Sequence, residues 1–321
     1  MEYFPVIIVG GGPAGSVCAW KLRLLGIECL VLDKQAFPRD KLCAGWITPW
    51  VFEDIDCIPD EYPHGLLTFK NIHAHIHGLR IRLPGPHYSI RRREFDSWLL
   101  DRSHAEFRIH HIRSIHKDDR RYILDDRYFC DYLVGSGGTT CPVQRSFFSG
   151  NHPRRTESLI VTLECEFPYK YGDDRCLLWF FENRLPGYSW YVPKAGGHLN
   201  IGIGGLSRTM KQRGLSIKEL WNLFTKKLYR LRLLEEKEII PKGYTYYRND
   251  STRVLRNRNA FIAGDAAGLA TRDLGEGIGP AIRSGILVAE SIAHDSEPDP
   301  RRIHRYSPVW PFSRCRRRRL R

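Results

Sequence analysis

The chain has 321 residues, of which 42% are hydrophobic and 27% are charged, and its formal net charge is +14. This composition is typical of a globular protein with a sizeable core and excludes an intrinsically disordered chain. No apolar run approaches the ~20 residues that a membrane-spanning helix needs, so no such span is expected. The apolar N-terminus has no basic region before it, and we interpret it as a strand rather than a signal peptide.

Positive charge and cysteine usage bear on partners and compartment. Nine arginines and no acidic residue lie within 301–321. This tail can contact anionic lipid, but a solvated end is favoured because no aromatic side chains alternate with the arginines, and nucleic acid is not expected as a partner. The nine cysteines include no C-x-x-C pair. They therefore predict reduced thiols in the cytoplasm, with peripheral membrane contact through the tail as the alternative location.

The first ordered stretch predicts a strand, a turn and a helix. Residues 6–9 form a β-branched run, which is typical of a strand buried on both faces. A helical pattern follows to about residue 25, and a second strand over 28–32 ends at Asp33.

Three glycines in this turn, Gly10-x-Gly12-x-x-Gly15, indicate a dinucleotide site. In this motif the first glycine permits a tight turn, the second admits a pyrophosphate, and the third lets the helix pack close to the strand. The helix N-terminus adds free N–H groups and the positive end of a dipole. Asp33 lies near the expected spacing and can accept hydrogen bonds from an adenosine ribose, while its charge argues against a 2′-phosphate and so against NADP.

The middle of the chain is rich in predicted strands. Residues 71–77 alternate histidine with apolar residues, which predicts a half-buried strand with a histidine-bearing solvent face and no metal site. A helix begins at Arg92. Further strands are predicted over 107–111, 112–115, 122–124, 128–129 and 132–134, and then, as successive antiparallel strands, over 159–167, 176–182, 189–192 and 200–204.

Near the C-terminal end a helix over 216–231 precedes a strand at 261–263, and Gly275 to Pro280 opens a helix over 281–292. The glycines within 201–205 superficially repeat the first motif, but no parallel strand with an acidic tip follows them, so no second nucleotide site is expected. These alternations predict an α/β fold, a Rossmann-like nucleotide domain with an inserted antiparallel β-sheet domain. The predicted boundaries are 1–65, 88–157 and 245–295 for the first domain, 66–87 and 158–244 for the second, and 296–321 for a basic tail.

Taken in order, these motifs resemble the FAD-dependent oxidoreductase superfamily of para-hydroxybenzoate hydroxylase, and within it the geranylgeranyl reductase group. The stretch 186–193 is similar to that group's Tyr-x-Trp-x-Phe-Pro signature, with Val192 in place of Phe. The other residues that carry the resemblance are the glycine turn with Asp33, the loop Cys43-Ala44-Gly45, Arg92-x-x-Phe95-Asp96, and Gly264-Asp265 with Gly277-Ile278.

The resemblance implies FAD as the cofactor, lying where the two domains meet, with NAD(P)H or a reduced electron carrier as a transient donor. It implies that the pyrophosphate and adenosine are held by Gly10, Gly12, Pro13, Ala14, Gly15, Asp33 and Lys34. It places the flavin and ribityl portions against Cys43, Ala44, Arg92, Gly264, Asp265, Gly277 and Ile278. A substrate pocket would be lined by Tyr188, Trp190 and Cys43, with plain sheet packing as the alternative for the two aromatic residues.

The activity implied is reduction of C=C bonds in an isoprenoid or other apolar substrate by hydride transfer from reduced flavin. The catalytic proton donor is not assigned, and Cys43 and Tyr188 are candidates by position. One alternative is an FAD-dependent monooxygenase or hydroxylase of an aromatic substrate, because the same fold supports it. A degenerate, non-catalytic flavin-binding protein is a further alternative, because Gly137 stands where the superfamily usually has an aspartate.

Overall fold

A computed structural model describes residues 1–150, 154–249 and 254–306, so the predicted basic tail beyond residue 306 lies outside the described residues. The helices are α1 (Pro13–Leu24), α2 (Trp50–Asp54), α3 (Arg92–Ser103), α4 (Pro142–Phe147), α5 (Ser207–Gln212), α6 (Ile217–Arg230) and α7 (Ile278–Ala293). The strands are β1 (Glu2–Val9), β2 (Cys29–Asp33), β3 (Trp46–Ile47), β4 (Leu67–Ile76), β5 (Leu79–Ser89), β6 (Glu106–Ile109), β7 (Ile115–Asp118), β8 (Arg121–Leu124), β9 (Tyr128–Gly135), β10 (Leu159–Pro168), β11 (Cys176–Phe180), β12 (Gly187–Lys194), β13 (His198–Leu206), β14 (Lys242–Tyr247), β15 (Arg256–Asn257) and β16 (Ala260–Ile262).

The chain divides into two compact units. The first comprises the described parts of Met1–Arg39, Asp96–Arg154 and Tyr247–Arg321, and the second comprises Asp40–Phe95 and Arg155–Tyr246. Residues 40–65 and 88–95 thus group with the second unit, not with the first as predicted. The reason is that β3 pairs with β5 and so belongs to the second sheet.

The first unit is built on a sheet with the order β15-β16-β9-β1-β2-β6, in which the pairs from β16 to β6 are all parallel. The apolar run of β1 is buried on both faces, as predicted. Val6 and Ile8 pack in the cluster that includes α1 and α7, whereas Ile7 and Val9 pack in the cluster on the other side. Because the strands are parallel, their carboxyl ends lie at one edge of the sheet, where ligands of such folds bind.

Two strand predictions in this unit need correction. The segments 128–129 and 132–134 are one strand, β9, which pairs with β1 along its length. The strand predicted over 112–115 is wrong, since β7 begins only at Ile115. There the backbone N–H groups of Arg113 and Ser114 donate to the carboxylate of Asp125 instead of to a neighbouring strand.

The second unit has an eight-stranded sheet in the order β14-β10-β13-β12-β11-β4-β5-β3. The prediction of an antiparallel sheet fails for one pair, because β4 and β11 are parallel. They come from separate chain segments, so no hairpin imposes an antiparallel direction on them. The amphipathic helix α6 covers one face, and Ser216 caps its N-terminus by accepting a hydrogen bond from the N–H of Glu219.

The histidine-bearing face of β4 is not simply a solvent face. The ring of His75 stacks 5.7 Å from that of Trp179, and partial burial lowers the pKa of His75. Among the described residues no cluster of His, Cys, Asp or Glu is arranged to hold a metal ion. None of the helices in the described part of the chain has both the length and the apolar character needed to cross a bilayer.

Candidate functional site

The glycine turn after β1 is held tightly by the first unit itself. Gly10 has φ +113°, its N–H donates to the Leu32 carbonyl at 2.7 Å, and its carbonyl accepts from the Ser136 hydroxyl at 2.8 Å. A Cβ added at Gly15 would lie 1.9 Å from the Gly10 carbonyl oxygen. Glycine is therefore required at Gly10 by its positive φ and by the Ser136 backbone, and at Gly15 by the packing of α1 against the end of β1.

Gly12 differs from the other two glycines. A Cβ added there would meet only the end of the flexible Arg39 side chain, at 3.3 Å from Nη2. The fold itself therefore does not demand glycine at this position, which is the residue whose backbone approaches the pyrophosphate in dinucleotide sites. The open backbone at Gly12, followed at once by the N-terminus of α1, fits the pyrophosphate of a dinucleotide.

Asp33 braces this turn at the tip of β2. Its carboxylate accepts hydrogen bonds from the N–H of Gly11 at 2.8 Å and of Gln35 at 3.0 Å. The neighbouring Lys34 is exposed. Contact of Asp33 with an adenosine ribose, and of Lys34 with the cofactor, stay predictions.

Arg39 is a candidate site residue that the sequence reasoning missed. Its guanidinium lies beside Gly12, stacks 4.7 Å from the centre of the Phe37 ring and is 3.6 Å from the carboxylate of the fully buried Asp96. The Nε atom of Arg39 is buried without a hydrogen-bond partner. A cation held at this turn is suited to a pyrophosphate. The sequence did single out Asp96, as part of the Arg92-x-x-Phe95-Asp96 motif. No pattern within either segment, however, indicates that Asp96 lies beside Arg39.

The other predicted FAD motifs of the first unit come together at this edge of the sheet. A Cβ added at Gly264 would lie 3.1 Å from the Cβ of Ala14 and 3.2 Å from that of Ala281. A Cβ added at Gly277 would lie 3.6 Å from the Asp265 carboxylate. The first turn of α1, the loop after β16 and the N-terminus of α7, which starts at Ile278, are thus neighbours.

Glu276 is a second residue that was not predicted, and it caps α7. Its side chain is only 5% exposed; Oε1 accepts the N–H of Gly279 at 2.7 Å, while Oε2 has no hydrogen-bond partner. Burial, with a smaller contribution from the charge of Asp273, raises the pKa of Glu276 to about 8. A neutral carboxyl leaves the positive end of the helix dipole available to a negative group on a ligand.

We expect the Glu276→Gln variant to change how stability depends on pH. A carboxyl whose pKa is higher in the folded than in the unfolded state stabilises the fold at low pH and loses this contribution as pH rises through the folded pKa, here from about 4.5 to about 8. The variant should therefore match the wild type in acid and exceed its free energy of unfolding by about 5 kcal/mol in mild alkali, at about 1.4 kcal/mol for each unit of pKa. Urea denaturation across this range measures it. Glu290→Gln, which alters an exposed pair with Arg302, should keep the wild-type slope.

In the second unit, Lys194 anchors the loop Cys43-Ala44-Gly45. The side chain is fully buried, and its Nζ donates to the carbonyl oxygens of Ala44, of Gly45 at 3.1 Å and of Ile90 at 2.8 Å. Burial lowers the pKa of Lys194. A buried ammonium with three carbonyl acceptors holds the loop against the end of β12.

Trp190 acts on the same loop. Its indole N–H donates to Asn200 Oδ1 at 2.7 Å, and Asn200 Nδ2 donates to the Cys43 carbonyl at 3.2 Å. A Cβ added at Gly202 would lie 2.1 Å from the indole ring. The glycines of β13 therefore make room for Trp190, which is 5% exposed, and β13 is an ordinary antiparallel strand rather than a second nucleotide motif.

The remaining predicted residues of this unit lie around Cys43. Its Sγ accepts the N–H of Gly45 at 3.3 Å; burial raises the pKa of the thiol, and the charge of Arg92 opposes that rise. Arg92 is buried at the first turn of α3. Tyr188 is half-buried, with its ring 5.0 Å from Phe180 and 5.7 Å from Trp190. Roles for these residues toward a flavin or a substrate stay predictions.

Similarity to known proteins extends along most of the chain. Residues 8–77 match the NAD(P)-binding Rossmann-like domain family. An uncharacterized protein of Methanosarcina barkeri is 30% identical over 312 residues, which cover 91% of this chain and 75% of that protein. The menaquinone reductase of Mycobacterium tuberculosis is 27% identical, covering 89% of this chain and 75% of the relative. Digeranylgeranylglycerophospholipid reductase 1 of Methanopyrus kandleri is 25% identical, covering 96% and 86%.

Solved structures share the fold. A geranylgeranyl bacteriochlorophyll reductase-like protein from Thermoplasma acidophilum superposes with a TM-score of 0.79 at 18% identity, covering 98% of this chain and 84% of that one. A flavin-dependent brominase has a TM-score of 0.71 at 16% identity, covering 98% and 83%.

The matched domain family, together with relatives named as reductases, defines an FAD-dependent oxidoreductase with a Rossmann-like domain. More particularly, the chain belongs to the geranylgeranyl reductase family of FAD-dependent oxidoreductases, which confirms the resemblance seen in its motifs.

Proposed function

We propose that this protein is an FAD-dependent reductase that acts on C=C bonds of an isoprenoid or other apolar substrate. The observation that carries the proposal is the similarity, along about nine-tenths of the chain, to relatives named as reductases of menaquinone and of a digeranylgeranyl lipid. NAD(P)H or a reduced electron carrier would be the transient donor.

The first unit supplies the groups that would hold FAD. Bound FAD, once reduced, supplies hydride at its N5 atom. The N–H groups at the start of α1, together with Arg39, would balance the charge of the pyrophosphate. Asp33 would accept hydrogen bonds from the ribose, and Asp265 would bond the ribityl chain. The neutral Glu276 would leave the N-terminus of α7 free to stabilise negative charge on the reduced ring.

The second unit supplies the candidates for substrate and proton. The aromatic side chain of Tyr188 would form part of an apolar pocket, next to the buried Trp190. Cys43 would hold the proton that is added to the substrate carbon, because its thiol stays protonated near neutral pH. The hydrogen bonds of Asn200 and Lys194 would keep that thiol in place.

An anaerobic reaction tests the proposal. Protein loaded with FAD is reduced chemically, excess reductant is removed, and a geranylgeranyl lipid without a quinone ring is added. We expect the visible flavin absorbance to return and the product mass to rise by two hydrogens for each bond reduced. No reoxidation by any prenyl substrate would contradict the reductase proposal.

The same preparation distinguishes a reductase from the alternative, an FAD-dependent monooxygenase. That alternative is retained because a flavin-dependent brominase shares the fold. If the protein hydroxylated an aromatic substrate, oxygen uptake would proceed in step with product formation. Protein that takes up no FAD at all would support the non-catalytic alternative.

A further inference from the structure

The hairpin of β4 and β5 leaves apolar side chains exposed at one edge of the second unit. Its two-residue turn, His77-Gly78, has φ values of +49° and +84°, and β5 follows at once. Within the described residues β3 pairs only with Tyr88 and Ser89 of β5, so the part of β5 next to the turn is an edge of the sheet. On this edge Leu79 is 68% exposed and Ile81 is 41% exposed. Single exposed apolar residues are common, so the surroundings of these two decide what they mean.

The register of the sheet joins the two exposed side chains to the predicted substrate pocket. Residues that are paired across neighbouring strands lie on the same face of a sheet. One row of paired residues is Leu79, Ile76, Phe180 and Tyr188, and the next row is Ile81, Ala74, Leu178 and Trp190. This face is opposite to the one that α6 covers, where Trp179 and Tyr191 pack. An apolar surface therefore runs across four strands, from the exposed edge to the two aromatic residues of the predicted pocket.

The same hairpin carries positive charge and no negative charge. Residues 67–89 include no aspartate or glutamate, and their basic residues, all exposed, are Lys70, Arg80 and Arg82. Two acidic groups near β4 come from other elements, and each is paired with a basic side chain, Asp173 with Arg175 and Glu182 with Lys227. Long arginine side chains can lie along an apolar surface while their guanidinium groups reach anions. Exposed apolar side chains beside such charge are complementary to the headgroup region of an anionic bilayer.

We propose that the β4–β5 hairpin is a membrane-docking surface, on which Leu79 and Ile81 enter an anionic bilayer while Arg80 and Arg82 bind lipid phosphates. Insertion is shallow, because the backbone N–H and C=O groups along an edge strand need water or headgroup partners. The apolar face of the sheet then opens onto the bilayer, and the predicted pocket lies three strand spacings, or about 14 Å, from the docked edge. A lipid tail would reach the pocket without crossing water. This last step rests on the proposed function, whereas the docking does not.

Binding of the full chain to vesicles tests the proposal, with hydrogen–deuterium exchange as the local readout. The vesicles contain phosphatidylcholine either alone or mixed with phosphatidylglycerol. We expect the anionic vesicles to slow amide exchange in peptides that cover residues 77–86 and to leave peptides of α6 unchanged. Protein that sediments with these vesicles while its hairpin exchanges as in free solution would bind through another surface, such as the basic tail, and would overturn the proposal.

A pair of serine substitutions tests the apolar contribution. Leu79→Ser/Ile81→Ser should lower the partition onto anionic vesicles at least about tenfold, because two apolar side chains no longer leave water. The matched control is Leu223→Ser/Leu231→Ser, which removes two leucines of similar exposure, one on α6 and one at its C-terminal cap. This control should bind as the wild type does. Equal losses in the two double variants would contradict docking by the hairpin.

A pair of glutamine substitutions tests the charge. Arg80→Gln/Arg82→Gln should weaken binding to anionic vesicles about thirtyfold in low salt and leave the weak binding to phosphatidylcholine unchanged. If the hairpin instead binds a second copy of this chain, vesicle-free protein would sediment as a dimer and Leu79→Ser/Ile81→Ser as a monomer, which would overturn the proposal. None of these measurements needs turnover. Docking as expected, without reoxidation of the flavin by any prenyl substrate, would therefore refute only the proposed function.

Discussion

Replacing Gly15 with alanine is expected to destabilise the first unit by about 3 kcal/mol or more, whereas replacing Gly12 with alanine should leave it folded. The difference follows from what each new Cβ would meet. At Gly15 it would lie 1.9 Å from a backbone oxygen of Gly10, so α1 would have to move away from β1. At Gly12 it would lie 3.3 Å from the end of the Arg39 side chain, which can turn aside.

The Gly12→Ala substitution should affect FAD affinity rather than stability. The methyl group at Gly12 would stand where the pyrophosphate approaches, so we expect Gly12→Ala to weaken FAD binding at least about tenfold, or about 1.4 kcal/mol, without changing the stability of the apoprotein. Fluorescence titration with FAD and urea denaturation of the apoprotein measure the two quantities separately. A Gly12→Ala protein that binds FAD as tightly as the wild type would remove the pyrophosphate assignment.

Replacing Lys194 with methionine is expected to cost the second unit about 3 kcal/mol of stability. Two effects compete. Removing a buried ammonium relieves its desolvation, which is reflected in the lowered pKa of Lys194. Against this, the carbonyl oxygens of Ala44, Gly45 and Ile90 lose their shared donor, and each unpaired buried acceptor costs roughly 1–3 kcal/mol. The three acceptors outweigh the single desolvation because methionine offers them nothing.

Urea denaturation checks this expectation, with Lys227→Met as the control. Lys227 lies in the same unit and pairs with Glu182 at a partly exposed position, where such pairs contribute about 1 kcal/mol or less. The Lys194 variant should in addition expose Cys43 to faster alkylation at every pH, because its loop loses an anchor. Equal losses of stability in the two variants would show that Lys194 does not hold the loop.

Arg39 and the parallel pair of β4 with β11 mark the limit of what a local pattern predicts. The strand, turn and acidic residue of the predicted nucleotide site can be recognised from a short segment of sequence. The β-branched run, the glycine spacing and the acidic tip of β2 all lie within residues 6–33. The contact of Arg39 with Asp96 joins residues far apart in the chain. No periodicity or propensity within either segment specifies the other.

The sequence by itself determined the class of the fold and the nucleotide-binding turn, because strand burial, helix starts and glycine geometry are properties of a few consecutive residues. Only the tertiary structure decided which side chains lie beside that turn and which ones hydrogen-bond to the Cys43 loop. Lys194 reaches carbonyls about 150 residues away, and Asn200 reaches Cys43 across a similar span. Such contacts form when sheets and loops are brought together by burial of their apolar faces, and that assembly depends on the whole chain rather than on any segment of it.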